Sequence, residues 1–331
     1  MQTEAIVFAD RGEVTFQTVE VCDPQPGDAV VRTLATLVST GTDTRTLRGK
    51  QTGGQFPLVP GYSAVGVVEE ALGDSDHLTP GDVVWSGSPR ELIGIRSCWG
   101  AQVGVCVREA DSFQLLDGRR PAAEYAFTKV AAIALHGVRR SAARPNDPVA
   151  IVGQGLIGQL HARIQVLMGK DVIVSDVLPW RLERSEEGGV ARTVNATEED
   201  LSEVVRQCWP QGVPVAVEAS ARQEGLDQCI GLLRQPAWGS DEPMPVLVIQ
   251  SSFPGAIEFD YGEIFSKEVL IVPSRDCVRR DMRAAARMIG DGILRVDDLV
   301  TMRRSPEEAP EAFEELLNHP ERHFTCVFEW D

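Results

Sequence analysis

Short apolar runs separated by turn-forming residues fill the chain from residue 1 to about residue 120, and this pattern is typical of β-strands. A turn and a further strand are expected at 80–84, and the segment 99–107 has the pattern of a hairpin. A short helical stretch ends at Arg48. The pattern therefore predicts a β-rich N-terminal region, whose first strands are expected at 5–8, 14–21 and 29–37.

The pattern changes after residue 120. The alanine-rich stretch 121–140 predicts a helix that connects two domains. From Val149 onward, apolar runs alternate with stretches of helical spacing, which predicts a parallel sheet covered by helices. A loop-like insertion occupies 235–245. The runs expected to form the strands are 149–152, 172–174, 213–218, 244–250 and 269–272.

The C-terminal stretch contains both helical and strand-like patterns. Helices are expected at 279–289 and 307–317, and strands at 297–302 and 325–329. At 331 residues the chain is long enough for two domains and a large core. The fold class predicted from these patterns is α/β, with a β-rich region followed by a parallel-sheet region.

A glycine spacing in the parallel-sheet region is typical of dinucleotide-binding proteins. The run at 149–152 ends in a G-x-G-x-x-G sequence, a helical stretch follows, and a second apolar run leads to Asp176. The first glycine permits a sharp turn, the second lets a pyrophosphate approach the backbone, and the third lets the helix pack closely on the sheet. Free N–H groups at the helix start attract phosphate. The expected pyrophosphate contacts are Gly153, Gly155, Leu156, Ile157 and Gly158.

An acidic residue after the second strand bears on the choice of cofactor. Asp176 lies 23 residues after Gly153, where a carboxylate accepts hydrogen bonds from the hydroxyl groups of the adenosine ribose. A carboxylate at this place repels a 2′-phosphate. The expected cofactor is therefore NAD rather than NADP.

Charge and composition exclude several classes of partner. The formal net charge is −17, which disfavours binding to nucleic acid or to an anionic membrane, because both need basic surfaces. No apolar run reaches the length of a membrane helix, and the N-terminus lacks the basic and apolar parts of a signal peptide, so the cytoplasm is the expected compartment. The seven cysteines are scattered without a C-x-x-C spacing, which indicates neither a disulfide framework nor a tetracysteine zinc lobe.

Several short motifs together resemble the medium-chain dehydrogenase/reductase superfamily, the zinc-type alcohol dehydrogenase-like proteins. The motifs are Gly41-Thr42-Asp43, Pro60-Gly61-Tyr62 and the Gly-Asp-Val-Val sequence at 81–84, followed by the dinucleotide fingerprint. The resemblance implies a GroES-like catalytic domain over 1–120 and 273–331 and a doubly wound Rossmann domain over 121–272. Residues 39–43 and 56–62 are most similar to a branch that includes bacteriochlorophyllide dehydrogenases and polyol or sugar dehydrogenases. Members commonly pair through their Rossmann sheets, so a homodimer is expected.

The resemblance also shows which metal ligands this chain lacks. Zinc-containing members have a cysteine just before the Gly-Thr-Asp motif, a histidine after Pro-Gly, and a cysteine or acid about 24 residues before the first fingerprint glycine. This chain has Thr40, Tyr62 and Lys129 at those places, and none is a credible zinc ligand at neutral pH. Of the structural zinc lobe expected near 88–100, only Cys98 is present. We therefore expect a member that lacks both zinc sites.

The residues that replace the zinc ligands allow two interpretations. In the first, Tyr62 acts as acid/base and Lys129 lowers its pKa, because a nearby cation favours the phenolate. In the second, both side chains only fill the vacated space, with Lys129 paired to an acid such as Glu124. Thr42 occupies the place of a hydroxyl that relays the substrate proton, although it could instead stabilise a turn. Asp43 is expected to cap the short helix or to pair with Arg45.

The resemblance implies further cofactor contacts. Arg45 falls where zinc alcohol dehydrogenases have a histidine that touches the cofactor ribose, and Arg181 falls where a basic residue often lies beside the adenosine ribose. The carboxyl ends of parallel strands are where such ligands bind. His136 is expected to be a packed or solvent-facing side chain rather than a catalytic one. The strand-end residues expected in the cleft are Ala219, Ser220, Ser251 and Ser252.

Three functions remain open at this point. The leading one is a metal-independent, NAD-dependent dehydrogenase that transfers hydride between nicotinamide and a secondary alcohol or ketone, with a polyol or sugar-like substrate. The second is a zinc-free quinone or enoyl reductase, a class that usually prefers NADPH. The third is a dinucleotide-binding or sensor protein whose catalytic centre has decayed.

Overall fold

The computed structural model describes residues 1–52, 54–73 and 77–330. The described chain divides into two compact units. Unit 1 consists of Met1–Lys129 and Met282–Asp331, and unit 2 is Val130–Asp281. Both boundaries fall inside helices, and they lie C-terminal to the domain boundaries expected after residues 120 and 272.

Unit 1 is rich in β-structure. Its strands are β1 (Gln2–Asp10), β2 (Glu13–Val21), β3 (Asp28–Leu37), β4 (Leu58–Val59), β5 (Ala64–Ala71), β6 (Val83–Ser86), β7 (Leu92–Ile93), β8 (Arg96–Ser97), β9 (Val105–Glu109), β10 (Gln114–Leu115), β17 (Met302–Arg304) and β18 (Cys326–Glu329). Its helices are α1 (Thr40–Leu47), α2 (Ala122–Tyr125) and α10 (Ala309–Asn318), with 3₁₀ turns at Ala110–Ser112, Asp297–Leu299, Pro306–Glu308 and Pro320–Arg322.

The strands of unit 1 form two sheets. One has the order β7-β2-β1-β4-β8, and the other has the order β10-β6-β5-β3-β18-β17, with β9 paired to β3. Helix α10 packs on this framework through Phe313, whose ring meets the ring of Phe8 edge-on with centroids 5.0 Å apart. Phe8, Phe313 and Phe328 are all fully buried, so they form part of the apolar core of unit 1.

Two sequence-based predictions in unit 1 are wrong. The segment 99–107 does not form a hairpin, because only its end belongs to a strand, β9, which pairs with β3. Trp99 and Gly100 both have positive φ, at 67° and 75°, and such a conformation interrupts a strand. The segment 297–302 begins with a 3₁₀ turn, and the strand β17 starts only at its last residue.

Unit 2 is built around one parallel sheet. Its strands are β11 (Pro148–Val152), β12 (Asp171–Asp176), β13 (Arg192–Asn195), β14 (Val215–Glu218), β15 (Val246–Ile249) and β16 (Leu270–Pro273), in the order β13-β12-β11-β14-β15-β16. The helices inside the unit are α4 (Leu156–Leu167), α5 (Pro179–Glu187), α6 (Leu201–Cys208), α7 (Gln223–Leu232) and α8 (Tyr261–Ser266). Apart from Glu218 at the end of β14, the central strands are apolar, and they are buried on both faces, as expected for a sheet covered by helices.

Two helices contain the unit boundaries. They are α3 (Thr128–Arg140) and α9 (Arg279–Gly290). The helix expected over 121–140 is thus divided into α2 and α3, with Ala126 and Phe127 between them. Among the residues described, no helix has both the length and the apolar character needed to cross a membrane.

Candidate active site

The turn after β11 has the geometry that the glycine fingerprint predicts. Gly153 has φ +94°, and a Cβ there would lie 2.7 Å from the backbone nitrogen of Ser220. A Cβ on Gly158 would overlap the carbonyl oxygen of Gly153. Both positions therefore require glycine, because a side chain there would clash with the neighbouring backbone. Gly155 differs, because a Cβ there would meet no atom within 4 Å, which leaves open space beside the turn.

Helix α4 begins next to this open space. Gly155 is its N-cap residue, and no side chain caps the helix. The N–H groups of the first turn, including those of Leu156 and Ile157, therefore have no side-chain acceptor at the cap. A glycine that leaves space beside uncapped helical N–H groups is suited to a pyrophosphate.

The acidic residue at the end of β12 is held by backbone donors. Asp176 is buried, its Oδ2 accepts from the Gln154 N–H at 2.7 Å, and its Oδ1 accepts from the Leu178 N–H at 3.0 Å. Arg181 Nη1 lies 3.8 Å from Asp176 Oδ2, and its guanidinium lies over the ring of Trp180. The structure thus places Asp176 and Arg181 together, as the sequence analysis expected of two residues beside an adenosine ribose.

A buried carboxylate that the sequence analysis did not single out connects the next two strand ends. Glu218 is fully buried, and its Oε1 accepts from the N–H of Ser220 at 2.6 Å, from Ser220 Oγ at 2.7 Å and from the N–H of Ala221 at 2.8 Å. Its Oε2 accepts from Ser251 Oγ. The hydroxyls of Ser220 and Ser251 therefore point toward Glu218.

The other predicted strand-end residues lie in the same loops. The Ala219 N–H donates to the Val152 carbonyl at 2.8 Å, so the loop after β14 is held against the end of β11. Ser252 is exposed. A glutamate that ends an apolar strand and is followed by Ala-Ser is the sequence signal that could have identified Glu218. The loops after β11, β12, β14 and β15 thus offer donors, a carboxylate and open space at one edge of the sheet, which matches the chemistry of a dinucleotide.

Tyr62, one of the candidate catalytic residues, lies in a hydrogen-bonded cluster of unit 1. The phenolic hydroxyl of Tyr62 donates to Ser39 Oγ at 2.7 Å, and the Ser39 N–H donates to Asp43 Oδ2 at 2.8 Å. Ser39 was not among the predicted site residues. A hydroxyl directly before the Thr-Gly-Thr-Asp sequence is the signal that could have indicated it.

Asp43 is the buried end of this chain of hydrogen bonds. Its side chain is almost completely buried, and burial raises its pKa from 3.8 to about 7, against the opposing effect of hydrogen bonds from the backbone of Ser39 and Gly61. Asp43 accepts from the N–H of the N-cap residue Ser39 and from the backbone of Gly61, so it connects the start of α1 to the loop that carries Tyr62.

The remaining predicted residues of unit 1 have the following surroundings. Thr40 Oγ1 donates to the Phe324 carbonyl at 3.0 Å, and the Thr42 carbonyl accepts from Thr46 Oγ1 at 2.9 Å. Arg45 Nε donates to Gln51 Oε1 at 2.8 Å. Lys129 is half-buried in the first turn of α3, and its proposed effect on Tyr62 stays a prediction.

The residues at the positions where the resemblance places zinc ligands, Thr40, Tyr62 and Lys129, do not offer the donor atoms of a zinc site. They present two hydroxyl groups and an ammonium group, and the hydroxyls of Thr40 and Tyr62 both donate to protein acceptors. Over the described ranges, no group of three or more His, Cys, Asp and Glu side chains could hold a metal. We therefore derive no chemical step through a metal.

His136 lies in an ion-pair cluster of unit 2. Its Nδ1 lies 2.7 Å from Asp281 Oδ2, and Arg139 contacts the other oxygen of the same carboxylate. The Asp281 side chain is fully buried. This arrangement gives His136 a structural partner.

Comparison with known families gives two matches along the chain. Residues 25–132 match the family described as alcohol dehydrogenase GroES-like domain, and residues 157–290 match the family described as zinc-binding dehydrogenase. The first match lies in the β-rich part of the chain, and the second begins within the dinucleotide fingerprint.

Three similar proteins illustrate the relationship. The chain is 28% identical to 2-desacetyl-2-hydroxyethyl bacteriochlorophyllide A dehydrogenase of Cereibacter sphaeroides, over 97% of this chain and 96% of that protein. It is 23% identical to sorbitol dehydrogenase of Halalkalibacterium halodurans, over 94% of this chain and 95% of that protein. A solved structure described as a zinc-binding dehydrogenase from Sinorhizobium meliloti, bound to NADP, has a similar fold, with a TM-score of 0.86, 23% identity and 99% coverage of both chains.

These matches agree with the two-part architecture of a β-rich GroES-like region and a Rossmann sheet. The first match covers the motifs near residues 41–62, and the second includes the last two residues of the glycine fingerprint. The chain belongs to the medium-chain dehydrogenase/reductase superfamily of oxidoreductases.

Proposed function

We propose that this protein is a metal-independent, NAD-dependent dehydrogenase that transfers hydride between nicotinamide and a secondary alcohol or ketone. The observation that supports it most is the pairing of open space at Gly155 with the backbone-held carboxylate of Asp176. The first is suited to a pyrophosphate and the second to the ribose hydroxyls of NAD. A cluster of hydroxyl groups in unit 1 could handle the substrate proton.

The preference for NAD rests on the charge of Asp176. Each of its oxygens accepts one backbone hydrogen bond, and a carboxylate oxygen has capacity for a second. Ribose hydroxyls can therefore still donate to it. Two observations favour NADP as the alternative cofactor. One structural neighbour was solved with NADP bound. Arg181 lies close to Asp176, and an arginine there could bind the 2′-phosphate of NADP.

The proposed chemistry needs one acceptor for hydride and one for a proton. When bound, NAD supplies the hydride acceptor. In our proposal the hydroxyl proton of the alcohol goes to Tyr62 acting as phenolate, and Ser39 orients the phenolic oxygen through their hydrogen bond. Lys129 would favour the phenolate by its positive charge. Thr42 is proposed as a relay or as a hydrogen-bond partner of the substrate.

Two alternatives compete with this proposal. A quinone or enoyl reductase that uses NADPH is the first, and it is supported by the NADP-bound neighbour. A decayed sensor that binds a dinucleotide without turnover is the second, and it is supported by the missing zinc ligands at Thr40, Tyr62 and Lys129. We also propose a homodimer, for which β16 at the edge of the parallel sheet offers unpaired backbone groups.

A cofactor and substrate screen tests the proposal as a whole. The purified protein is assayed with NAD⁺ and NADP⁺ against polyols, sugars and other secondary alcohols, and with NADPH against quinones and enones, by the absorbance of reduced nicotinamide. We expect oxidation of a secondary alcohol with NAD⁺ that a chelator leaves unchanged, and no stoichiometric zinc by elemental analysis. Stoichiometric zinc would contradict the proposal that the reaction is metal-independent. Reduction of enones with NADPH alone would support a quinone or enoyl reductase instead.

Replacement of Gly155 by alanine tests the pyrophosphate site. Gly155 has φ −68°, which alanine adopts without strain, and the added methyl group meets no protein atom. We expect an unchanged melting temperature and a Kd for NADH about tenfold weaker, a loss of about 1.4 kcal/mol. Gly231→Ala is the matched control, since it also adds a methyl group in open space of unit 2. Equal affinities of the two variants would place the pyrophosphate elsewhere.

Replacement of Asp176 by serine tests cofactor choice. Loss of the carboxylate removes the ribose acceptor and the repulsion of a 2′-phosphate, and it leaves Arg181 nearby. We expect kcat/KM with NAD⁺ to fall about tenfold to hundredfold, about 1.4–2.8 kcal/mol, and kcat/KM with NADP⁺ to rise. Asp171→Ser, at the other end of β12, is the control and should keep the native ratio. An unchanged ratio in Asp176→Ser would refute the assigned role.

Replacement of Tyr62 by phenylalanine separates the acid/base interpretation of Tyr62 from the space-filling one. The variant keeps the ring but loses the hydroxyl that donates to Ser39. If Tyr62 is the acid/base, kcat should fall by about 10²–10⁴-fold, and the corresponding limb of the pH–rate profile should disappear. Tyr261→Phe, an exposed tyrosine of unit 2, is the control. Native turnover in Tyr62→Phe would leave Tyr62 with a space-filling role.

A further inference from the structure

The guanidinium of Arg181 lies beside a carboxylate and over an aromatic ring. Its Nη1 is 3.8 Å from Asp176 Oδ2, and its Cζ is 5.5 Å from the centroid of the Trp180 ring. The first distance exceeds the length of a hydrogen bond, so these two atoms attract each other only through their charges. The second distance is within the range of a cation–π contact. The arginine thus lies near the carboxylate, with its flat face on the indole.

Buried hydrogen bonds fix the backbone of Arg181 relative to Asp176. The Arg181 carbonyl accepts from Gln159 Nε2 at 2.7 Å. Gln159 also donates to Ser185 Oγ at 2.8 Å, and this hydroxyl donates to Gln154 Oε1 at 3.0 Å. The side chains of Gln154, Gln159 and Ser185 are fully buried, and the N–H of Gln154 donates to Asp176. The conformation of the Arg181 side chain therefore decides how closely its guanidinium approaches the carboxylate.

The contact between Trp180 and Arg181 depends on specific side-chain conformations. The two residues are consecutive in the first turn of α5, and consecutive residues of a helix do not face each other as a rule. The ring is half-buried, and the Arg181 side chain is only 18% exposed. A cation–π contact is stronger where water is partly excluded. The indole therefore competes with Asp176 for the guanidinium.

Loss of the ring would leave the carboxylate as the main attraction for Arg181. Hydrogen bonds between an arginine and a carboxylate are short, strong and often paired. A direct pair would occupy lone pairs of Asp176 that the ribose hydroxyls of NAD need as acceptors. It would also offset the negative charge that repels a 2′-phosphate. The ring therefore has opposite effects on the affinities for NAD and NADP.

We propose that Trp180 is a positioning residue for cofactor selection, because its ring keeps the guanidinium of Arg181 from pairing directly with Asp176 and leaves the carboxylate oxygens available to the adenosine ribose of NAD. This inference rests on the proposed function, which assigns the ribose site to Asp176. It adds a residue that acts through Arg181. Trp180 affects binding of the cofactor, and the hydride-transfer step does not depend on it.

Equilibrium binding of the two reduced cofactors tests this role. The Kd values of NADH and NADPH are measured by fluorescence titration of the full chain. We expect Trp180→Leu to weaken NADH binding roughly fivefold without weakening NADPH binding, so that the ratio of Kd for NADPH to Kd for NADH falls by a similar factor or more. Trp180→Phe keeps an aromatic ring and should restore most of the native ratio.

The same three residue types meet at the other end of β12 and provide a matched control. There Arg192 pairs with Asp171, and its guanidinium carbon lies 5.2 Å from the centroid of the Trp209 ring. Trp209→Leu removes a ring from beneath an arginine of unit 2, as Trp180→Leu does, but outside the proposed ribose site. We expect Trp209→Leu to keep the native ratio of the two Kd values.

A double-mutant cycle distinguishes positioning from a general loss of structure. If the ring acts through Arg181, Trp180→Leu should change the ratio in the native protein but not in an Arg181→Gln background. An equal shift in both backgrounds, or equal weakening of both cofactors, would overturn the inference. Trp180→Gln, which also lacks a ring, replaces Trp180→Leu if the latter does not fold.

The outcomes for this inference and for the proposed function are distinct. If the native protein does not favour NADH but Trp180→Leu still lowers the ratio, the inference holds and the NAD dependence in the proposed function fails. If the native protein favours NADH and the ratio is unchanged in Trp180→Leu, the inference is overturned and the proposed function stands. Absence of binding of either cofactor overturns both.

Discussion

Close approach of backbone to backbone at the end of β11 is the constraint on which the candidate cofactor site depends. Gly153 lies against the backbone of Ser220, and Gly158 lies against the carbonyl of Gly153. Without side chains at these two positions, the turn, helix α4 and the loop after β14 can meet at one edge of the parallel sheet. The position of Gly155 beside open space follows from that arrangement, and so does the orientation of the uncapped N–H groups of α4.

In unit 1, hydrogen bonds rather than glycine contacts bring the candidate catalytic groups together. Backbone hydrogen bonds join the segment around Cys98 and Ala101 to the segment that precedes Tyr62. The hydrogen bonds from Tyr62 to Ser39 and from Ser39 to Asp43 then connect this region to the start of α1. The hydroxyls of Tyr62 and Ser39 thus belong to one connected cluster, which ends at the carboxyl group of Asp43, whose pKa is raised by burial.

Local requirements explain which parts of the structure the sequence could predict. The apolar runs predict the parallel strands, and the glycine spacing predicts the dinucleotide turn. The parallel sheet and the positions of Asp176 and Arg181 could therefore be predicted from the sequence. The hairpin at 99–107 was wrong because strand propensity does not reveal a positive φ at Trp99. Ser39 and Glu218 were missed because their partners, Tyr62 and Ser251, lie 23 and 33 residues away and depend on the folded register.

The four hydrogen bonds to Glu218 have a consequence for ligand recognition. One buried carboxylate fixes the loop after β14 through Ser220 and Ala221 and the loop after β15 through Ser251. The conformational freedom of both loops is therefore already lost when the chain folds, before any ligand arrives. A molecule that binds against them does not have to order them, so less of its interaction energy is consumed by entropy on association.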